Sequence, residues 1–223
     1  MSFLQAVSGA RKRATAASIV TSELLSRYDF GNTSCYPGTG TAITDLQGNY
    51  NLTAVGAAYN SGDGGHFDFD GTNDYLSSAM EFNGQNAATI CMWIRTTGTT
   101  RATILGSYSG NASTLSDAFQ LEINRGSVLN EQDSIFVFAR GYNTNNSTYV
   151  WYAQNTGISD GDWHLITAVA DLANRTCNIY VDNVAYSVTQ VRADTVAWSN
   201  FWQYGNYIGA MNNQGTAGTF FVG

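Results

Sequence analysis

Residues 160–188 read DGDWHLITAVADLANRTCNIYVDNVAYSV and contain the clearest structural pattern in the chain. From Cys177 to Val181 every second side chain is apolar, which is the period of a strand buried on one face. The period resumes after Asp182 and Asn183, and asparagine tolerates the positive φ that a two-residue turn requires. The sequence therefore predicts a β-hairpin at this point.

Short strand patterns also occupy most of the remaining chain. Each is rich in β-branched and aromatic residues and is bounded by Gly, Asn, Ser or Thr. The predicted strands are 24–30, 66–70, 75–78, 87–95, 101–107, 118–124, 134–140 and 149–153. We interpret 87–95 as a central strand, 66–70 and 75–78 as a strand pair, and 44–65 as a polar connecting surface. Strands without intervening helices predict an all-β, two-sheet antiparallel jelly-roll sandwich over residues 24–223.

Residues 1–23 form a separate N-terminal arm in this interpretation, and residues 1–22 are the only stretch with helical character. The first 27 residues have four basic side chains and one acidic one, whereas the rest has six basic and sixteen acidic ones, for a net charge of -7. The acidic body excludes nucleic-acid binding, so we expect the arm to dock onto other subunits and the protein to form a homo-oligomer. The predicted docking residues are a basic cluster and an apolar strip: Arg11, Lys12, Arg13, Ile19 and Val20.

The composition predicts neither a secretory signal nor a membrane span. The first 18 residues contain a basic cluster but no continuous apolar region. No apolar run in the chain reaches the ~18 residues that a transmembrane helix needs. We therefore expect synthesis in the cytoplasm and no membrane insertion.

Five sequence phrases occur in the order and spacing of a known family. They are FDGTNDYL (69–76), ATICMWIRT (88–96), SDGDWHLITAVAD (159–171), NIYVDN (178–183) and NYIGA (206–210). Over residues 24–223 the chain thus resembles the laminin-G-like, concanavalin-A-like jelly-roll family. The opening, residues 28–53, is similar to the version of this domain found in bacteriophage structural proteins. The chain departs from the family at Asn183, where glycine is usual.

The family resemblance also implies a strand that follows the last residues of this sequence. Family members continue after a step like Gly218–Gly223 into a closing strand that pairs with the first strand. We expect that strand to come from a neighbouring chain or from residues of the same polypeptide beyond Gly223, because an open edge at 24–30 would leave backbone groups unpaired.

The resemblance implies a non-enzymatic bacteriophage virion protein, made in the host cytoplasm, that joins other virion subunits as a capsid decoration or as a tail-fibre or adaptor component. The alternative is a carbohydrate-binding module that attaches to glycans on a host cell surface. Aromatic rings and amides that suit sugar rings and hydroxyls lie in two segments of the chain. The candidate carbohydrate-binding residues are Tyr142, Asn143, Asn145, Trp198, Trp202 and Tyr204. Alternatively, the aromatic residues near position 200 do not bind sugar but fill the sandwich core or an interface.

A calcium site is a further hypothesis, and no other cofactor is expected. Asp68, Asp70 and Asp74 offer the hard oxygen ligands that calcium prefers. Their spacing lacks the glycine and the glutamate of an EF-hand loop, and aspartates beside Gly71 and Asn73 are also common turn formers.

Catalysis is not expected from the acidic residues of the chain. Glycan hydrolysis needs two carboxylates that face each other across the sugar. Some relatives of this fold hydrolyse glycans with three acidic residues spaced E-x-D-x-x-E on one strand, and the nearest motifs of this chain lack that set. Glu131 and Asp133 have no third acid after them, and Glu122 is followed by Asn124 two places on.

Overall fold

The computed structural model describes residues 2–7, 22–82, 85–108, 118–125, 133–140, 148–193 and 205–223. These residues form strands and one short 3-10 helix, Gly62–Gly64. In chain order the strands are β1 (Ser2–Val7), β2 (Leu24–Asp29), β3 (Ala42–Ile43), β4 (Leu52–Val55), β5 (Ala58–Asn60), β6 (His66–Asp68), β7 (Tyr75–Ser78), β8 (Ala87–Arg95), β9 (Ala102–Tyr108), β10 (Ala118–Ile123), β11 (Ile135–Arg140), β12 (Thr148–Ala153), β13 (Trp163–Asp171), β14 (Thr176–Val181), β15 (Val184–Tyr186), β16 (Thr189–Ala193), β17 (Tyr207–Ile208), β18 (Met211–Asn213) and β19 (Thr216–Gly218).

The strands form two large sheets and one small one. A six-stranded sheet has the order β15-β14-β13-β8-β1-β2. An eleven-stranded sheet has the order β16-β12-β11-β10-β9-β17-β7-β4-β3, with β18 beside β9 and β19 beside β18, and β5 pairs with β6 separately. Neighbouring strands are antiparallel except where β1 meets β2 and β8 and where β18 meets β9. The predicted all-β, two-sheet sandwich is confirmed.

One core lies between the two large sheets. Buried side chains of the six-stranded sheet, such as Ile90 and Ile166, belong to the same apolar cluster as Leu121 and Trp151 of the eleven-stranded sheet. Burial alternates along β2 and β14, so the six-stranded sheet has one less buried face. By contrast, all six residues of β10 are buried, including those that face away from the core.

The predicted hairpin is present as β14 and β15. Asp182 and Asn183 have φ values of 51° and 67°, as in the two-residue turn that matches strand twist. The Asp182 side chain also fastens the turn to β13, because its Oδ1 accepts a hydrogen bond from the Leu165 N–H at 2.9 Å.

The other predicted strands are confirmed to within about two residues at each end. The prediction that 87–95 is central is also confirmed, because β8 lies between β13 and β1. Its burial alternates only from Ile90 onward, where Ile90, Met92 and Ile94 belong to the core cluster.

Two details of the sequence interpretation are wrong. Residues 44–65 are not only connecting surface, since they include β4 and β5; the alternation of Leu52 and Ala54 is real but short and interrupted by polar residues. The segments 66–70 and 75–78 do not pair with each other. β6 pairs with β5 and β7 pairs with β4, and the connection between β6 and β7 contains a local hydrogen bond from Asp70 N to Asp74 Oδ2 at 3.0 Å.

Two of the family phrases meet at a close backbone contact. Leu76 of the first phrase is the strand partner of Ile208 in NYIGA. The next residue, Gly209, has a φ of 81°, and a Cβ on it would lie 2.4 Å from Cε1 of Phe69. Glycine is therefore needed there both for the backbone conformation and for the space.

The N-terminal residues differ most from expectation. Residues 2–7 form a strand, so the expectation of helical character is wrong for them. This strand lies between β2 and β8 and is parallel to both, so that Gln5 is paired with Arg27 on one side and Cys91 on the other. One edge of the strand at 24–29 is thus paired by residues of the same chain that precede it in sequence, and β2 is the outermost described strand of this sheet.

The described residues contain no helix with the length and apolar character needed to cross a bilayer.

Candidate functional site

The strongest candidate site lies on the face of the eleven-stranded sheet that points away from the core. On β10 and β11 the residues Phe119, Leu121 and Val137 face the core, so their neighbours along each strand face outward. The outward positions Gln120 and Phe138 are directly opposite each other in the antiparallel pair. They lie at the centre of the site.

A cavity of about 210 Å³ opens over this pair of residues. Three arginines line it, each from the end of a strand or the residue next to it: Arg101, Arg125 and Arg140. Tyr108, Gln120, Phe138 and Met211 complete the lining. We call this feature the arginine cavity.

A buried carboxylate orients two of the arginines. Glu122 is fully buried, and its Oε1 lies 2.7 Å from Nη2 of Arg101 while its Oε2 lies 3.4 Å from Nη1 of Arg125. The Thr103 hydroxyl lies 3.4 Å from the same Oε1. Because a short charge-assisted hydrogen bond is directional, Glu122 fixes where the Arg101 guanidinium group points, and the longer ion pair attracts Arg125 to the same carboxylate.

Two aromatic rings, those of Phe138 and Tyr108, lie close to the guanidinium groups. The Arg125 Cζ lies 4.9 Å from the centre of the Phe138 ring, and the Arg140 Cζ lies 5.2 Å from it. Arg140 is also 5.8 Å from the Tyr108 ring centre. These distances are within the range of cation–π attraction, so the rings help to hold the positive charges at the cavity.

The predicted carbohydrate-binding residues lie outside the described residues: Tyr142, Asn143, Asn145, Trp198, Trp202 and Tyr204. The strand ends that flank their segments are described. Arg140 is paired with Thr148, and the neighbouring Tyr149 is paired with Ala193. Arg140 and Ala193, the described residues that precede the segments 141–147 and 194–204, therefore lie at the same end of the sheet, and Arg140 lines the arginine cavity.

The predicted docking residues also lie outside the described residues: Arg11, Lys12, Arg13, Ile19 and Val20. Their role as an assembly contact stays a prediction.

The three aspartates proposed for calcium are described, and each makes local contacts. Asp70 Oδ1 accepts hydrogen bonds from the backbone of Thr72 and Asn73, while Asp74 Oδ2 accepts one from Asp70 N. Asp68 instead lies beside His66, with 3.3 Å between its Oδ1 and the imidazole Nε2. These contacts are those of a turn, and no group of three or more His, Cys, Asp or Glu in the described part of the chain could hold a metal ion. The calcium hypothesis has no support from these positions and stays a prediction.

His164 forms a second cluster of charged groups, on the six-stranded sheet. Its Nδ1 lies 2.8 Å from Asp182 Oδ2 and its Nε2 lies 3.0 Å from Asp160 Oδ1. Burial alone would lower the pKa of the imidazole, but the two carboxylates raise it above its ordinary value. The pKa of Asp160 is lowered, first by a hydrogen bond from Asp162 N and then by His164. The cluster joins the hairpin turn to β13, which is a structural role.

A smaller apolar cavity of about 60 Å³ lies in the core below Trp163. At its rim Asp63 Oδ2 accepts hydrogen bonds from Trp163 Nε1 and from Arg95 Nη1, both at 3.1 Å. The Arg95 guanidinium also lies 4.9 Å from the Trp163 ring centre. Because these groups are bonded to one another, we interpret the cluster as packing between β8, β13 and the 3-10 helix.

The sequence interpretation missed the three arginines of the cavity. Arg101 and Arg140 are within predicted strands, and nothing in either strand alone marks them. One signal was available, which is that only six basic side chains follow residue 27 and three of them lie at the ends of consecutive strands.

The two-sheet β-sandwich agrees with the lectin-like, concanavalin-A-like fold that the sequence phrases indicate. Residues 70–223 match the family described as Laminin_G_3, concanavalin A-like lectin/glucanases superfamily, and the chain belongs to this family. No curated protein sequence matches the chain.

Two similar solved structures are domains from one bacterium. The Ruminococcus gnavus IT-sialidase CBM40 bound to alpha2,3 sialyllactose has 15% sequence identity and a TM-score of 0.42, and the match covers 65% of this chain and 72% of that chain. The Ruminococcus gnavus IT-sialidase CBM40 has 16% identity and a TM-score of 0.40, with coverage of 60% and 70% respectively.

Proposed function

We propose that this protein is a non-enzymatic carbohydrate-binding domain and that the arginine cavity is part of its binding face. The observation that carries the proposal is the cavity itself, which lies beside the strand ends that flank the two segments with sugar-binding composition. Sugars are recognised by a few polar groups placed around a concave site, and Arg, Gln and Tyr side chains supply donors and acceptors for hydroxyl groups.

The charges of the cavity support binding without hydrolysis. Hydrolysis by either stereochemical route needs a pair of carboxylates, about 5–9.5 Å apart, on the two sides of the bond. The described lining of the cavity contains no carboxylate. Glu122 is buried beside two of the lining arginines, which pair with its two oxygens.

Binding can be tested on an array of purified glycans, using the protein and its Trp198→Ala and Trp202→Ala variants. We expect the protein to bind a defined subset of glycans. At least one variant should lose that binding while its melting temperature stays within a few degrees of the parent. The control is Tyr180→Ala on the six-stranded sheet, which should bind normally. Absence of binding to every glycan by the folded protein would refute the proposal.

The absence of hydrolysis is tested separately on the glycans that bind. Incubation at a high protein concentration, followed by a reducing-end assay, should release no product. Product that disappears in a Glu122→Gln variant would show that the domain is an enzyme.

A bacteriophage virion setting is a second proposal, with the domain as a capsid decoration or as a tail-fibre or adaptor component in a homo-oligomer. Its support is the resemblance of residues 28–53 to phage structural proteins. Antibody labelling of purified particles, together with light scattering of the isolated protein, tests it. Unlabelled particles and a monomer at micromolar concentration would contradict it.

A further inference from the structure

We propose that Gln120 is a specificity-determining residue of the arginine cavity and that it binds the acetamido group of an N-acetylhexosamine. This inference rests on the proposed carbohydrate-binding function, and it names a residue and the chemical class of sugar that this residue selects. It is carried by an unpaired amide oxygen in the cavity lining and by the apolar side chains beside it.

Gln120 is a buried polar side chain that lines the cavity. It is 3% exposed, and within the part of the chain that the structure describes its side chain makes one hydrogen bond, from Nε2 to Met211 Sδ at 3.0 Å. Its Oε1 accepts no hydrogen bond from a described residue, yet this oxygen is not sealed from solvent. Because a buried acceptor without a donor is unfavourable, a molecule in the cavity that supplies the donor gains affinity.

Met211 fixes which end of the carboxamide is available. A thioether sulfur accepts hydrogen bonds and has no donor, so the atom that lies 3.0 Å from it is the amide nitrogen. The oxygen is the other terminal atom of the same planar group, and it therefore points away from Met211. A ligand that binds this oxygen must present an N–H or O–H donor.

Apolar groups beside the carboxamide restrict the ligand further. Met211 is half-buried and lines the cavity, and so does Phe138, which is directly opposite Gln120 in the strand pair. A methyl group close to the donor would be removed from water against these side chains. An acetamido group combines an N–H donor with a methyl group, whereas a hydroxyl supplies the donor alone.

The remaining atom of the acetamido group is a carbonyl oxygen, which needs a donor. Arg101 and Tyr108 line the same cavity. Arg101 donates to Glu122 through Nη2, and a guanidinium group has five N–H donors, so others are left for a ligand. The volume of about 210 Å³ is below the ~300–1,000 Å³ of sites for drug-sized ligands, so the cavity suits one sugar unit.

The test uses methyl glycosides that differ only at the second carbon of the sugar. N-acetylglucosamine and N-acetylgalactosamine are compared with glucose and galactose, and with 2-O-acetyl sugars, which keep the methyl and carbonyl groups but have no N–H. Affinities are measured by titration calorimetry for the protein, for Gln120→Met, which removes the acceptor, and for Gln120→Glu, which keeps one. The matched control is Gln190→Met, at an exposed glutamine of β16.

We expect at least one acetamido sugar to bind about tenfold or more tightly than its 2-hydroxy parent, which corresponds to about one added hydrogen bond and its apolar contact. The 2-O-acetyl sugar should bind much more weakly than the acetamido sugar, because it cannot donate to Oε1. Gln120→Met should remove most of the preference, Gln120→Glu should keep more of it than Gln120→Met, and Gln190→Met should keep all of it.

The outcomes separate this inference from the proposed function. Absence of binding to any glycan refutes both. Binding only to glycans without an acetamido group, equal affinity for the amide and the ester, or a preference that survives Gln120→Met refutes the inference and leaves carbohydrate binding in place. If Gln120→Met does not fold, which thermal unfolding will show, the comparison of amide with ester on the unmodified protein still decides the result.

Discussion

Asp45 is the residue whose substitution gives the sharpest test of the structure. It is 2% exposed, and its carboxylate accepts four backbone hydrogen bonds at 2.8–3.2 Å. The donors are the N–H groups of Arg27, Gln47, Asn49 and Tyr50. One side chain therefore closes the loop between β3 and β4 and fastens it to β2.

The expected loss of stability follows from these four bonds. Asp45→Ala leaves four donors without their acceptor, and an unsatisfied buried donor costs about 1–3 kcal/mol. Asn49 is exposed and the other donors are only partly buried, so water replaces part of the lost interaction. We expect Asp45→Ala to lower the free energy of unfolding by about 3–5 kcal/mol, and Asp45→Asn, which keeps one acceptor oxygen, to lower it by about half as much.

Urea unfolding followed by the fluorescence of the five tryptophans measures these values. In a chain of 223 residues the alanine variant should melt about 6–20 °C lower, at 2–4 °C per kcal/mol. Asp162→Ala, at an exposed carboxylate, is the control and should change stability by less than about 0.5 kcal/mol. A loss below about 1 kcal/mol for Asp45→Ala, or equal losses for alanine and asparagine, would refute the hydrogen-bond argument.

Three further predictions concern other parts of the molecule. Asp160 and Asp182 raise the pKa of His164 in the folded state, so the charged imidazole stabilises the fold fully below its ordinary pKa of 6.5, and this stabilisation is lost as pH rises through the raised value. The difference in free energy of unfolding between the protein and His164→Gln should therefore shrink from pH 6 to pH 9. A constant difference would contradict this. Gly209→Ala should cost about 2–4 kcal/mol by thermal unfolding, because the new methyl group meets Phe69 in a left-handed backbone conformation; a loss under about 0.5 kcal/mol would show that the contact yields freely. A chain that begins at Ser22 lacks β1, so it should melt at a lower temperature and aggregate more readily through the opened edges; an unchanged melting temperature would show that this strand is dispensable.

Much of the fold could be predicted because its strands alternate. In β14 and β7, burial on one face leaves a period of two in the sequence. The turn at Asp182 and Asn183 was recognisable from residue type alone. The strands between 44 and 65 were missed because runs of three or four residues among glycines and asparagines are too short to show a period.

The candidate site was less predictable, because it depends on strand pairing. Arg101, Arg125 and Arg140 are separated by 24 and 15 positions in the chain. They meet only because β9, β10 and β11 are neighbours in a fixed register, in which Gln120 is opposite Phe138. The parallel position of β1 is a similar case, since no local pattern in residues 2–7 indicates which two strands it will separate.

The common end of the strands in the eleven-stranded sheet has a consequence for protein engineering. Four strand-end residues are paired in one row across the sheet: Tyr108, Ala118, Arg140 and Thr148. Segment 109–117 connects the first two in the chain, and segment 141–147 connects the last two. The strand pairs from this row to the other end of β9, β10, β11 and β12 are formed by residues outside both segments. Replacement loops of different length can therefore be grafted between these fixed ends, and the scaffold can serve as a platform for selecting new specificities from a library.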